Sequence, residues 1–245
     1  MENKAGLRQL WKLAFGDTDA FLDGFFGTAY SPERCRFLTD GETVTAALYW
    51  LDCHFSGEKY AYIYAVATHP DYRGRGLCHQ LMADAHTQLK DRGYAGALLV
   101  PQEEGLRKLY GSMGYRNLGS VSEFTCVPGE QAAPLREISG EEYALLRRKF
   151  LPQGGVLQEG ESIAFLQTYG AFYAGEGFLL SACREEDFLW GMELLGNREA
   201  APGILKALGC IRGKFRTPGK ELSFAMFLPL KADAPVADYL GHAFD

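Results

Sequence analysis

Two stretches in the first half of the chain carry residues suited to chemistry. The first, Arg73 to Cys78, reads Arg-Gly-Arg-Gly-Leu-Cys and lies between a predicted strand and a predicted helix. Such a turn makes an anion site, because glycine lets the backbone approach a ligand and the first N–H groups of the helix point toward it. Two arginines can also contact a pyrophosphate in a forked geometry. The alternative is a tight structural turn with solvated arginines.

The second stretch, Leu109 to Tyr115, reads Leu-Tyr-Gly-Ser-Met-Gly-Tyr. Its apolar residues keep helical spacing, and Gly114 ends the pattern. Tyr110 can donate a proton at neutral pH, since the reference pKa of tyrosine is about 10. Tyr110 also lies on the apolar face of its helix, so a role in the core is the alternative.

The elements around these stretches alternate between helix and strand. In the first half, apolar spacing predicts helices near 7–14, 21–26, 77–89 and 106–113, and strands at 34–39, 43–50, 60–68, 95–100 and 118–127. Asp40-Gly41 and Ser56-Gly57 are expected at hairpin turns. In the second half, helices are expected at 140–150, 160–169 and 201–208, and strands at 178–184, 188–195, 214–217 and 222–230.

The stretch from Val66 to Leu77 closely resembles the acetyl-CoA signature of the GNAT (general N-acetyltransferase) superfamily, Arg/Gln-x-x-Gly-x-Gly/Ala. Arg73 and Gly76 match this pattern, whereas Cys78 stands at the last Gly/Ala position. Leu109 to Tyr115 resembles the Leu-Tyr-x-x-x-Gly-Phe/Tyr block of the same superfamily, in the expected order. The resemblance covers roughly residues 4–127 and departs from the family at two further places: the chain opens on a helix, and Glu103 stands where the second block often has an asparagine.

The resemblance implies an α/β (α+β) fold with a mixed, mostly antiparallel sheet flanked by helices, and acetyl-CoA as the cosubstrate. It implies that the cofactor is bound by Val66, Ala67, Thr68, Arg73, Gly74, Arg75, Gly76, Leu77 and Cys78. An amine would attack the thioester, with the backbone N–H of Val66 or Ala67 polarising the carbonyl. Tyr110 would then protonate the departing thiolate.

The sequence leaves open which residue acts as the general base. Tyr60, Tyr62 and Tyr64 share one strand face and could order a water relay, although such a face more often serves packing. Some two-domain relatives use the C-terminal carboxylate, so Asp245 is a second catalytic candidate, with a frayed terminus as the alternative. The histidines show no partner spacing and are expected to be ordinary, with His69 structural or at the rim.

The chain is expected to divide into a catalytic domain at 1–127, a linker at 128–135 and a degenerate GNAT-like domain at 136–245 that shapes the acceptor site. The second half has no phosphate turn, because residues 196–203 lack the glycine-arginine pattern and include Glu199. One cofactor site is therefore expected. A strand at 222–230 is expected to complete the first sheet, which would make the halves inseparable.

The amino-acid composition of the chain limits the classes of partner that it can bind. The net charge of −6 disfavours nucleic acid, and the longest apolar run, near residues 60–67, is too short to span a membrane. The six scattered cysteines favour buried thiols in a reducing compartment over disulfides or a metal site, which predicts a cytoplasmic protein. The acceptor is expected to be a small-molecule or peptide amine, and the oligomeric state stays open.

Two other functions remain. One is a non-catalytic sensor or scaffold that binds acyl-CoA, or nothing. The other is an acyltransferase that uses a longer acyl or aminoacyl donor. Tyr110 beside an intact pyrophosphate turn favours an enzyme, since a scaffold needs no proton donor.

Overall fold

The computed structural model describes residues 3–244, which form two compact units. The first unit combines residues up to Arg116 with Met226–Pro235, and the second combines Asn117–Ala225 with the segment that starts at Val236. Both units therefore draw on segments that are distant in sequence, whereas the sequence-based boundaries run without interruption. Residues 128–134 of the expected linker form neither helix nor strand, whereas its last residue, Leu135, begins a strand.

The first unit contains four helices and a five-stranded sheet among its described residues. The helices are α1 (Lys4–Phe15), α2 (Asp19–Thr28), α3 (Leu77–Asp91) and α4 (Glu104–Ser112), and the first four strands are β1 (Cys35–Asp40), β2 (Thr43–Phe55), β3 (Glu58–Thr68) and β4 (Gly96–Leu99). These strands lie in the order β1-β2-β3-β4, with antiparallel pairs except for the parallel pair β3–β4. Residues Met226–Pro229 then pair antiparallel with β4.

This last pairing confirms the expectation that the second half of the chain supplies a strand to the first sheet. Met226 lies opposite Leu99, and Pro229 lies opposite Gly96. The first sheet is therefore complete only when residues as far along the chain as Pro229 are present.

Local signals explain where the first helices begin and end. The side chain of Asn3 caps α1 by accepting a hydrogen bond from the backbone N–H of Gly6 at 3.1 Å, and Gly16 ends the helix in the left-handed conformation. Thr18 caps α2 in the same way through the N–H of Phe21. Leu7, Leu10 and Trp11 are buried, so α1 places its apolar face on the sheet.

The second unit contains the remaining elements, except that Arg116 and the residues of the last strand from Met226 onward belong to the first unit. In chain order they are β5 (Arg116–Cys126), β6 (Leu135–Ile138), α5 (Gly140–Phe150), β7 (Leu157–Gln158), α6 (Glu161–Leu166), β8 (Ala171–Gly175), β9 (Phe178–Glu185), β10 (Phe188–Gly196), α7 (Ala201–Leu208), β11 (Arg212–Pro218) and β12 (Leu222–Pro229). Its sheet has the order β5-β11-β10-β9-β8-β6, with one parallel pair, β10–β11.

The second unit repeats the topology of the first. Strands β8, β9 and β10 are antiparallel, α7 crosses over, and β11 returns parallel to β10, as β1, β2, β3, α3 and β4 do in the first unit. The predicted fold class is confirmed: both sheets are mostly antiparallel and flanked by helices. The sequence missed β6, β7 and β8, which are short strands of two to five residues.

The C-terminal segment is packed rather than frayed as far as Phe244. Ala243 and Phe244 are 6% and 5% exposed, and the ring of Phe244 stacks on Phe165 at 5.9 Å. His242 is also buried and takes part in a polar cluster, so it is not the ordinary histidine that its lack of partner spacing suggested. Asp245, the second catalytic candidate, lies outside the described residues.

Candidate active site

A β-bulge interrupts β3 just before the segment predicted to bind the cofactor. Ala47 on β2 pairs with Ala67, but Tyr49 pairs with Tyr64, so β3 contains one extra residue between these pairs. Ala65 has a φ of +48°, which is unusual for a residue other than glycine. The bulge redirects the backbone immediately before Val66.

Within residues 3–244, no strand pairs with the other edge of this same part of β3. β3 pairs with β4 only from Tyr60 to Tyr62, and the paired register does not continue toward Thr68. The backbone N–H and C=O groups along this edge can therefore pair with an extended ligand. An extended chain with amide groups, such as a pantetheine arm, fits such an edge.

The predicted anion site follows directly. After a short 3-10 turn at Pro70–Tyr72, Gly74 and Gly76 each adopt a φ of +76°, and α3 begins at Leu77. Gly76 caps α3 without a side chain, so no side-chain group competes for the first N–H groups of the helix. A helix start of this kind attracts anions through these N–H groups and through the helix dipole.

The two arginines of the turn have different surroundings. Arg73 lies along the cleft described below, with its Nε 3.4 Å from the carbonyl oxygen of Thr68. Arg75 donates a hydrogen bond to the carbonyl oxygen of Asp71 at 2.9 Å, and its guanidinium lies over the ring of Tyr72 at 4.6 Å. Arg75 does not line the cleft, which makes Arg73 the nearer cation for a bound phosphate.

A cleft of about 670 Å³ gathers most of the predicted site residues. Its lining includes Val66, Ala67, Thr68, Arg73, Gly74, Gly76, Leu77, Cys78 and Tyr110. Eight of the nine residues predicted to bind the cofactor thus lie along one cavity together with the predicted acid. All of them belong to the first unit.

Tyr110 is buried on α4, with 6% of its surface exposed. Burial raises the pKa of its hydroxyl above the ordinary value, and the neighbouring Cys78 acts in the same direction. Its ring meets Tyr115 edge to face, at a centroid distance of 5.9 Å. Among residues 3–244, no group receives a hydrogen bond from the Tyr110 hydroxyl, so the proton of this hydroxyl is available to a ligand in the cleft.

Cys78, the position that departs from the glycine or alanine of the GNAT signature, is half-buried in the first turn of α3. Burial raises the pKa of its thiol, so the side chain is neutral at physiological pH. Because the sulfur carries no negative charge, it does not compete with a bound anion for the positive end of the helix.

The cleft also has lining residues that the sequence did not single out as functional. They are Ala14, Phe15, Tyr72, His79, Gln102, Glu103, Leu106 and Leu109. His79 directly follows Cys78, and its Nε2 lies 3.4 Å from the Ser112 hydroxyl. The sequence signal that could have identified His79 is its position in the first turn of α3. Phe15 had no such signal, because it belongs to α1, which is far from α3 in the sequence.

The tyrosines proposed for a water relay are engaged in packing. Tyr60 is buried and donates a hydrogen bond to the carbonyl oxygen of Pro235 at 2.5 Å, and the rings of Tyr62 and Tyr64 stack on each other. None of the three lines the cleft. His69 caps the 3-10 turn by accepting the N–H of Asp71 at 3.3 Å, which agrees with the structural role expected for it.

Within residues 3–244, no three side chains of histidine, cysteine, aspartate or glutamate are placed together as metal ligands. In the same part of the chain, no helix has both the length and the apolar character needed to cross a membrane.

Comparison with known proteins agrees with this geometry. Residues 2–118 match a family model described as an acetyltransferase (GNAT) domain. No curated protein matches the sequence at a significant level.

Solved structures share the fold at low sequence identity. A GCN5-related N-acetyltransferase from Kribbella flavida is 18% identical with a TM-score of 0.69, and the match covers 94% of this chain and 70% of that one. A GCN5-related N-acetyltransferase from Anabaena variabilis is 16% identical with a TM-score of 0.66, covering 93% and 71%. A tandem GNAT protein from the clavulanic acid biosynthesis pathway is 12% identical with a TM-score of 0.58, covering 94% and 96%.

Proposed function

Because residues 2–118 of this chain match the family model of a GNAT acetyltransferase domain, we propose that the protein transfers an acetyl group from acetyl-CoA to an amine. The observation that carries the proposal is the single cleft that joins the free edge of β3, the glycine turn before α3 and Tyr110. Each feature suits one part of acetyl-CoA: the turn suits the pyrophosphate, the strand edge suits the pantetheine arm, and Tyr110 suits the leaving sulfur.

The turn and the strand edge bind two neighbouring parts of acetyl-CoA. The N–H groups of α3 from Leu77 onward and the guanidinium of Arg73 bind the pyrophosphate. The backbone from Val66 to Thr68 pairs with the pantetheine amides. This places the thioester at the bulge, where the N–H of Val66 is the donor that polarises the carbonyl oxygen, since Ala67 is already opposite Ala47 in the sheet.

Proton transfer completes the reaction. The amine nitrogen forms a bond to the carbonyl carbon, the carbon–sulfur bond breaks, and Tyr110 donates its proton to the departing thiolate. The raised pKa keeps Tyr110 protonated at neutral pH. The proton lost by the amine goes to solvent or to a base, for which Asp245 stays a candidate.

We also propose that the protein works in the cytoplasm. All six cysteines are free, as expected for a reducing compartment.

Thermal unfolding with and without acetyl-CoA tests the proposal. Saturation at about 100 times Kd stabilises a protein by about 2.7 kcal/mol, which corresponds to a rise of roughly 5–10 °C in Tm for a chain of this size. No shift at millimolar acetyl-CoA would exclude both the enzyme and the acyl-CoA sensor. Thiol release in the presence of a panel of amines then separates these two functions, because a sensor binds acetyl-CoA without releasing free CoA.

A further inference from the structure

An aromatic side chain separates the cleft from a second apolar space. Phe15, the last residue of α1, lines the cleft together with Ala67. The same two residues line a smaller space, which is too narrow to hold a water molecule. The rest of its lining is apolar or aromatic: Leu7, Leu10, Trp11, Ala47, Tyr49 and Ala65.

The smaller space adjoins the bulge. Ala65 is the bulge residue with positive φ, and Ala47 and Ala67 are the pair that follows it in the β2–β3 register. If the proposed function holds, the pyrophosphate lies at the start of α3 and the pantetheine arm runs back along β3. The acyl end of the donor then lies beside these three alanines.

Phe15 is placed to control access to this space. Its ring meets Trp11 edge to face at 5.9 Å, and the residue remains 40% exposed, so one side of the ring packs on α1 while the other faces the cleft. Three alanines line the space beside the bulge, and the phenyl ring of Phe15 lines both this space and the cleft.

We propose that Phe15 restricts the donor to short acyl groups, because its ring closes the apolar space into which a longer acyl chain would extend. This inference rests on the proposed function and names the donor class of that site. An acetyl group ends before it reaches the ring. A butanoyl group needs room for two more methylene groups, and the ring occupies that room.

Binding measurements test this without knowledge of the acceptor. Isothermal titration calorimetry would compare CoA, acetyl-CoA and butanoyl-CoA on the wild-type chain and on Phe15→Ala. We expect the wild-type protein to bind acetyl-CoA more tightly than butanoyl-CoA. We expect Phe15→Ala to shift the ratio of the two Kd values by roughly tenfold in favour of butanoyl-CoA, the gain from burying two further methylene groups.

Two further variants test whether a change in the Kd ratio comes from the Phe15 ring itself or from a general disturbance of α1. Leu13→Ala removes another exposed apolar side chain from the same helix, at 49% exposure, and should leave the ratio unchanged because Leu13 lines neither space. Phe15→Leu keeps part of the apolar bulk and should give an intermediate ratio.

The inference is wrong if wild-type protein binds butanoyl-CoA as tightly as acetyl-CoA, or if Phe15→Ala leaves the ratio unchanged. Failure of CoA itself to bind would instead overturn the proposed function, and the donor restriction with it.

Discussion

The guanidinium of Arg147 donates two hydrogen bonds to the carboxylate of Glu193, at 2.6 and 2.9 Å, inside the second unit. The hydroxyls of Tyr143 and Tyr239 donate to the same carboxylate, and the Nε2 of His242 lies 3.2 Å from it. Burial by itself would raise the pKa of Glu193, but Arg147 and His242 outweigh it and hold this pKa well below its usual range. Glu193 is therefore ionised and compensated in the interior.

Loss of Arg147 should destabilise the protein strongly. Arg147→Met leaves a buried carboxylate without its cation, which costs about 3–5 kcal/mol in comparable sites. A denaturant titration should show this as a lower free energy of unfolding. Arg148→Met is the matched control, since Arg148 on the same helix is 58% exposed in its pair with Glu159 and such pairs contribute at most about 1 kcal/mol. Similar losses in both variants would contradict the compensating role of Arg147.

Acid should destabilise the protein partly through His86. Burial lowers the pKa of His86 to about 4, with a further contribution from Lys90, whereas the unfolded value is about 6.5. Between these values the unfolded chain binds a proton that the folded chain does not, so stability falls as pH falls. His242 acts in the same direction, because burial lowers its pKa despite the neighbouring Glu193.

The measurement is the free energy of unfolding at pH 6.5 and pH 5. His86→Gln should lose up to about 2 kcal/mol less than wild type over this interval. Tyr115→Phe removes the 2.9 Å hydrogen bond to His86 but leaves the imidazole buried, so it should keep the wild-type slope. Equal slopes for wild type and His86→Gln would show that His86 is already protonated in the folded state.

Gly76 should be needed for binding as well as for folding. Gly76→Ala places a Cβ at a φ of +76°, which costs about 1–2 kcal/mol, and directs it into the cleft at the start of α3. Gly41→Ala imposes a similar strain in the β1–β2 turn, at a φ of +57° and with equally open surroundings. Both variants should lose similar stability, but only Gly76→Ala should raise the Kd of acetyl-CoA, by tenfold or more. Equal Kd values in the two variants would remove this turn from the binding site.

Tyr110 should affect turnover rather than binding. Tyr110→Phe removes the proton donor and keeps the ring packing, so kcat should fall by about 10²–10⁴ while the Kd of acetyl-CoA stays the same. Tyr115→Phe, one turn away and bonded to His86, should leave kcat near the wild-type value. The rate of thiol release in the presence of an amine that the wild-type protein acetylates measures kcat for both variants. Unchanged turnover in Tyr110→Phe would exclude this residue as the acid.

Much of the fold follows from local patterns. The spacing of Leu7, Leu10 and Trp11 predicts α1, and the Asp40-Gly41 pair predicts the first hairpin, as the structure has them. β8 was missed because Ala171–Gly175 is short and carries no alternating pattern, and it becomes a strand by pairing with β6 and β9.

By itself, the sequence determined the glycine turn, the helix that follows it and the position of Tyr110 on its helix. These depend on residues within one or two turns of each other. Tertiary structure decided the bulge at Ala65, the approach of Phe15 to the cleft and the burial of His242 beside Glu193. Each of these brings together segments distant in the chain, and strand register and packing set such contacts, since local propensity does not specify them.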